Sequence, residues 1–158
     1  MFRKSTSRFT LAIAPLAILC AVLFHPAVAI ASGSGTRCSN ETLTGDYSFN
    51  VEGMLLGRPG LPPEAQFRSV GVAHLDGKGN APWQEHTVVH GMPLQQGWVT
   101  ATASYRVNSD CTGLLIGVTP NSPAPLYMYF AVVKRGAEFR SVLNSDSVSA
   151  VFTRIDAE

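Results

Sequence analysis

From residue 44 onward the chain alternates. Apolar and polar residues exchange places at every second position, in short runs separated by Gly, Asn, Asp or Pro. Only a strand puts alternate side chains on opposite faces, so a period of two marks strands with one face buried and one solvated. In residues 46–52, Tyr47, Phe49 and Val51 fall on one side and Asp46, Ser48, Asn50 and Glu52 on the other. Further runs follow at 66–75, 82–90, 98–107, 114–118, 126–133, 138–143 and 148–155. Asp76-Gly77-Lys78-Gly79-Asn80, Gly91-Met92-Pro93, Asn108 to Gly113, Lys134-Arg135-Gly136 and Asn144-Ser145-Asp146 read as turns. Residues 55–65 carry two Gly and three Pro, and residues 119–125 carry three Pro, so both are longer loops.

These runs make eight strands with short connections, and no amphipathic helical period interrupts them. Consecutive strands joined by tight turns become antiparallel neighbours. The expected fold is all-β: a single eight-stranded antiparallel up-and-down barrel over residues 44–158, with a two-sheet sandwich as the alternative. Closure removes the exposed edges, and a barrel of eight strands encloses packed side chains or one small ligand.

The segment before the barrel has a different composition. Arg3, Lys4 and Arg8 precede an uncharged apolar run over residues 9–24, then a His25-Pro26 break and the small-residue sites Ala27-Val28-Ala29 and Ala29-Ile30-Ala31. That order reads as a signal peptide over 1–31, cleaved after Ala29 or Ala31, since the run falls short of the ~20 residues that span a bilayer. Residues 32–43 read as an N-terminal linker. The expected location is exported, periplasmic or extracellular, with no membrane attachment after cleavage. The chain has 12 Lys+Arg against 11 Asp+Glu; without the three basic residues of the leader the balance is 9 against 11. No basic cluster remains to track a phosphate backbone, which argues against nucleic-acid binding. Cys20 leaves with the leader and Cys38 and Cys111 remain. In an oxidising compartment a lone pair is most simply one disulfide; free or metal-bound thiols are the alternative, without a CxxC or Cys-His spacing to favour them.

Three segments carry a resemblance. Leu43-Thr44-Gly45-Asp46-Tyr47-Ser48-Phe49, Val70 through Asn80 (VGVAHLDGKGN), and Ser104 through Gly113 (SYRVNSDCTG) together resemble the "LxGxYxF … vGxlxfDGxGn … YxVnxDCtG" pattern of small exported bacterial proteins of uncharacterised function. The likeness spans most of the barrel region in order, though its motifs are strand and turn signatures. It implies a barrel similar to allene oxide cyclase and lipocalin-like barrels and supports pairing Cys38 with Cys111. It implies no activity. The chain departs from the pattern at Ala103, where Gly is common, and at His74, where an apolar residue is usual.

The sequence holds no nucleophile elbow, no His-Glu-x-x-His and no phosphate loop. Asp76 to Asn80 lacks the ligand spacing of a calcium loop, because Lys78 takes the third position. His86 and His90 are ~13 Å apart on one strand face, too far to share an ion, so no metal and no cofactor is expected. The candidate ligand-binding residues are Tyr105, Glu85, Tyr127 and Tyr129, and the candidate catalytic residues are Glu85, His86 and Tyr105. Tyr105 shares the apolar face of its strand. Glu85 shares a face with Trp83, Thr87 and Val89, and Gln84, His86, Val88 and His90 share the other, so the sequence leaves the inward face of that strand open; Glu85, if inward, is a candidate partner for the Tyr105 hydroxyl. The leading functional expectation is a binding or structural module for a small apolar molecule, its mouth at the proline-rich loops. The alternatives are an isomerase or cyclase working in the barrel pocket, or a homo-oligomer joined through strand 126–133, which is apolar on both faces.

Overall fold

The computed structural model describes residues 37–155; the expected signal peptide at 1–31 lies outside the described residues. Nine strands follow in order: β1 (Thr44–Leu56), β2 (Glu64–Asp76), β3 (Trp83–Val89), β4 (Met92–Pro93), β5 (Val99–Val107), β6 (Thr112–Val118), β7 (Leu126–Val133), β8 (Glu138–Leu143) and β9 (Ser147–Arg154). Every pairing is antiparallel. β1 pairs with β2 on one side and β9 on the other, and β2 pairs with β3, so eight strands close into an up-and-down barrel.

β4 is the addition to the expected eight. His90 (φ 49°) and Gly91 (φ 81°) reverse the chain within two residues, so Met92 and Pro93 pair back onto Val89 and Val88, and the Leu94 amide donates to the Thr87 carbonyl. Glycine tolerates that left-handed backbone without penalty. The reversal occupies the upper edge of β3, which leaves it only three residue pairs with β5, Trp83–Ala101 through Glu85–Val99.

One end of the barrel is closed by the residues just before β1. Asn40–Thr42 form a 3-10 turn, and Leu43 is fully buried beneath the strands. Cys38 is bonded to Cys111 in the β5–β6 turn, with Cα atoms 5.0 Å apart. Asn40 accepts from the Val107 amide through Oδ1 (2.8 Å) and donates to the Lys78 carbonyl through Nδ2 (3.3 Å). The Arg154 guanidinium donates to the Thr42 carbonyl (3.1 Å) and to the Tyr47 hydroxyl (2.9 Å). Residues 38–43, expected to be linker, therefore form a plug bonded to four parts of the barrel.

Above the plug, aromatic rings fill the lumen. Phe139 and Phe152 stack with centroids 4.2 Å apart, Tyr47 and Phe130 tilt against Phe139, and Phe49 lies between Phe152 and Trp83. Truncating one such ring to alanine costs ~3–5 kcal/mol. Glycines on the wall make room for them. A Cβ on Gly71 would collide with the Phe49 ring and the Gln84 carbonyl, and one on Gly117 would collide with the Trp83 indole. The rings are packed only as far as this layer, and the upper half of the barrel is left open.

Candidate functional site

The upper half of the lumen holds a cavity of about 360 Å³. Phe49, Trp83 and Phe152 form its floor, Phe67, Val89, Met128 and Leu143 its walls, and the 57–61 and 119–123 loops its mouth. That is the size and the mostly apolar lining of a small-molecule pocket. The mouth opens at the two proline-rich loops expected from the sequence.

Strand alternation brings a few polar groups into this lining. On β3 the inward positions are Trp83, Glu85, Thr87 and Val89, all buried. Glu85 Oε1 accepts from the Thr119 hydroxyl at 2.6 Å and from Asn121 Nδ2 at 3.4 Å. Both donors come from the loop that follows β6, so this loop is fastened to the β3 wall by the carboxylate. Thr87 donates its hydroxyl to Ser69 Oγ (2.9 Å), and Ser69 donates to the His86 carbonyl (3.3 Å), so these two hydroxyls satisfy one another.

Two polar atoms in the lining do not. Trp83 Nε1 and Ser141 Oγ are buried and have no hydrogen-bond partner, although Trp83 is only 5% exposed and Ser141 only 6%. A buried polar atom without a partner costs ~1–3 kcal/mol, so such atoms are rare without a reason. Trp83 is on β3 and Ser141 on β8, four strands apart either way round the ring, so the two face the cavity from opposite walls.

An ion pair sits at the rim. Arg58, from the β1–β2 loop, meets Asp146, from the β8–β9 turn, at 2.5 Å, and Asp146 also accepts from the Leu56 amide at 3.0 Å. Burial pushes the Asp146 carboxyl up, but the Arg58 hydrogen bond, the Leu56 amide and the Arg58 charge outweigh it and hold the group below the usual carboxylate range.

The sequence-derived candidates separate. Glu85 faces the lumen and lines the cavity. Tyr105 also points inward, but at the closed end. It lies six residues beyond Val99, the β5 partner of Glu85, about 20 Å along the strand at the usual rise per residue. Its hydroxyl donates to the Leu43 carbonyl at 2.8 Å, and burial pushes its pKa up to about 12. The candidate Glu85–Tyr105 pairing does not form, because the plug supplies the acceptor. Tyr127 and Tyr129, expected to bind ligand, are on the outer face of β7, 45% and 53% exposed, while Met128 and Phe130 take the inward positions. His86 is also outside, its ring bonded to the Gly97 carbonyl (2.8 Å) and set edge-on to Trp98. His74 pairs with Asp46 on the outer surface. The Asn80 side-chain amide donates to Asp76 Oδ2, and the backbone amides of Asn80, Lys78 and Gly79 donate to Oδ1; together they hold the carboxyl far below the ordinary range. Among the described residues no three His, Cys, Asp or Glu side chains are grouped to hold a metal ion, and no helix is long and apolar enough to cross a membrane.

Ser141, Thr119 and Asn121 belong to the site and were not among the sequence candidates. Nothing local marks them, since what sets them apart is the strand or carboxylate they face. No protein family, curated protein or solved structure matches the chain.

Proposed function

We propose that this protein is an exported binding module that holds one small, mainly apolar molecule in the upper half of its barrel. The observation that carries the reading is a cavity of about 360 Å³ with two buried, unpartnered polar atoms in its lining. Apolar walls supply affinity by releasing water from ligand and lumen, and Trp83 Nε1, Ser141 Oγ and the Glu85 carboxylate supply orientation. The Cys38–Cys111 bond and the leader-like order of residues 1–31 support export.

Binding is favoured over isomerase or cyclase chemistry for a geometric reason. Proton transfer within a pocket is usually shared by two positioned groups. Of the three catalytic candidates only Glu85 reaches the cavity; Tyr105 is bonded into the plug and His86 is on the outer surface. A second reading, self-association, draws on a strip of exposed or half-buried apolar residues across β6–β8, where Ile116 pairs with Tyr127 and Tyr129 with Val142.

Native mass spectrometry of protein purified from its own host addresses both. A retained mass of a few hundred daltons on a monomer is expected. The neutral fluorophore N-phenyl-1-naphthylamine should bind one per chain, and Ala150→Leu, which fills the lumen, should abolish that. A chain that carries no ligand and takes up no probe would sink the binding reading.

A further inference from the structure

Among the described residues two glutamates are buried, and their surroundings differ. Glu138, 5% exposed, is met by two cations, Lys134 Nζ at 2.5 Å and Arg140 Nε at 2.7 Å. Glu85, 7% exposed, is met by two neutral donors, Thr119 and Asn121, both on the same oxygen. Among the described residues no Lys, Arg or His lies within ion-pair distance of it. Among the described residues the only other charged groups lining the cavity, Arg58 and Asp146, pair with each other at the rim. The lumen therefore carries one carboxyl group with no cation beside it.

A buried charge is costly unless a counter-charge or a full set of hydrogen bonds meets it. A carboxylate has about four acceptor positions, and Thr119 and Asn121 fill two. An anionic ligand would add a second negative charge beside the first. A divalent cation would find a single carboxylate among apolar walls. A protonated amine brings the missing charge and up to three donors, and its carbon skeleton suits the Phe, Met and Leu lining. Two residues before Glu85 on the same face, Trp83 still needs an acceptor for its Nε1–H, and Ser141 awaits a partner on the far wall.

We propose that the ligand of the lumen is a protonated amine with an apolar body, its ammonium held by Glu85 and polar groups on that body met by Trp83 or Ser141. The proposal rests on the binding reading above. Three probes of one shape separate the two: 1-naphthylmethylamine, 1-naphthylmethanol and 1-naphthoate, titrated calorimetrically into the full-length protein and into Glu85→Gln. The amine is expected to bind at least tenfold more tightly than the alcohol, and the carboxylate weakest of the three. Glu85→Gln should bring the amine and alcohol within about threefold of each other. Equal binding of amine and alcohol to the unaltered protein would overturn the amine proposal and leave the binding module standing. An amine preference that survives Glu85→Gln would also overturn it, because the charge would then be met elsewhere. If none of the three probes binds, and N-phenyl-1-naphthylamine does not either, both proposals fall. Should Glu85→Gln fail to fold, the amine-to-alcohol ratio in the unaltered protein decides: tenfold supports the proposal, and equality overturns it.

Discussion

Ser141→Ala should make the unliganded protein more stable, against the usual direction for a buried substitution. Ser141 is 6% exposed and its hydroxyl has no partner, so folding strips water from the oxygen and returns nothing. That loss is ~1–3 kcal/mol, and alanine avoids it while giving up a single atom of packing. The expected net gain is about 1–2 kcal/mol, which at a urea dependence of ~2 kcal/mol per molar moves the midpoint up by roughly 0.5–1 M. Thr87→Val is the internal control. It has nearly the same shape, but it removes the donor to Ser69 Oγ inside the same lumen and should cost about 1 kcal/mol. Urea melts of ligand-free protein, followed by Trp fluorescence with the slope checked for constancy, read both values. If Ser141→Ala loses stability as Thr87→Val does, Ser141 is a structural residue and the account of the cavity is wrong. If it gains stability while its affinity for N-phenyl-1-naphthylamine falls, the hydroxyl is kept for binding at the expense of stability, as functional groups often are.

Replacing Cys38 and Cys111 together by serine should destabilise the protein by about 4 kcal/mol on the loop-entropy account, because the bond closes a separation of 73 residues; thermal melts test this, and free-thiol labelling of unfolded, unreduced protein should find no reactive cysteine at either position. Tyr105→Phe should cost about 1 kcal/mol by leaving the Leu43 carbonyl short of a donor, and probe affinity should be unchanged because the hydroxyl is at the closed end; altered affinity would place Tyr105 in the site after all. Asp146 titrates below its ordinary value in the folded state, so its contribution is present above about pH 4 and is lost as the pH falls through the folded value; urea midpoints at pH 6 and pH 3 should differ less in Asp146→Asn than in the unaltered protein.

How legible each part was depended on contrast between faces. β1 and β5 alternate apolar with polar residues, and their inward faces follow from that alone. β2 and β3 do not: Ser69 and Gly71 face inward while Val70 and Val72 face out, and Glu85 and Thr87 take inward positions on β3, so the closed ring sets those faces. β7, Leu-Tyr-Met-Tyr-Phe-Ala-Val-Val, offers apolar residues to both sides, so its register is set by the neighbours and not by its own sequence. Tyr127 and Tyr129 consequently read as lumen residues and prove to be surface residues. β4 is two residues long and depends on a backbone reversal, beneath the resolution of any periodicity. Residues 38–43 look like spacer because only one of them, Leu43, is a large apolar residue. Their role comes from polar atoms of Asn40 and Thr42 that meet partners up to 112 positions away. Glu85 was legible as a strand residue on a face with Trp83; that it has no cation partner is a property of the closed ring.

The pairing of β1 with β9 has a consequence for the order of events. Tyr47 is opposite Arg154, so the contact that closes the ring joins residues more than a hundred positions apart. A chain delivered from its N-terminus can assemble β1, β2 and β3 early, and Cys38 can reach Cys111 once the β5–β6 turn has emerged. No pocket exists at that stage, because the wall bearing Ser141 and the strand bearing Phe152 are still missing. Contacts of such long range are slow to form, and until they do β1 presents an open edge to any neighbouring strand. The interval between emergence of the first strand and arrival of the last is thus the period of greatest aggregation risk, and a molecule able to seat in the lumen can act only after it has ended.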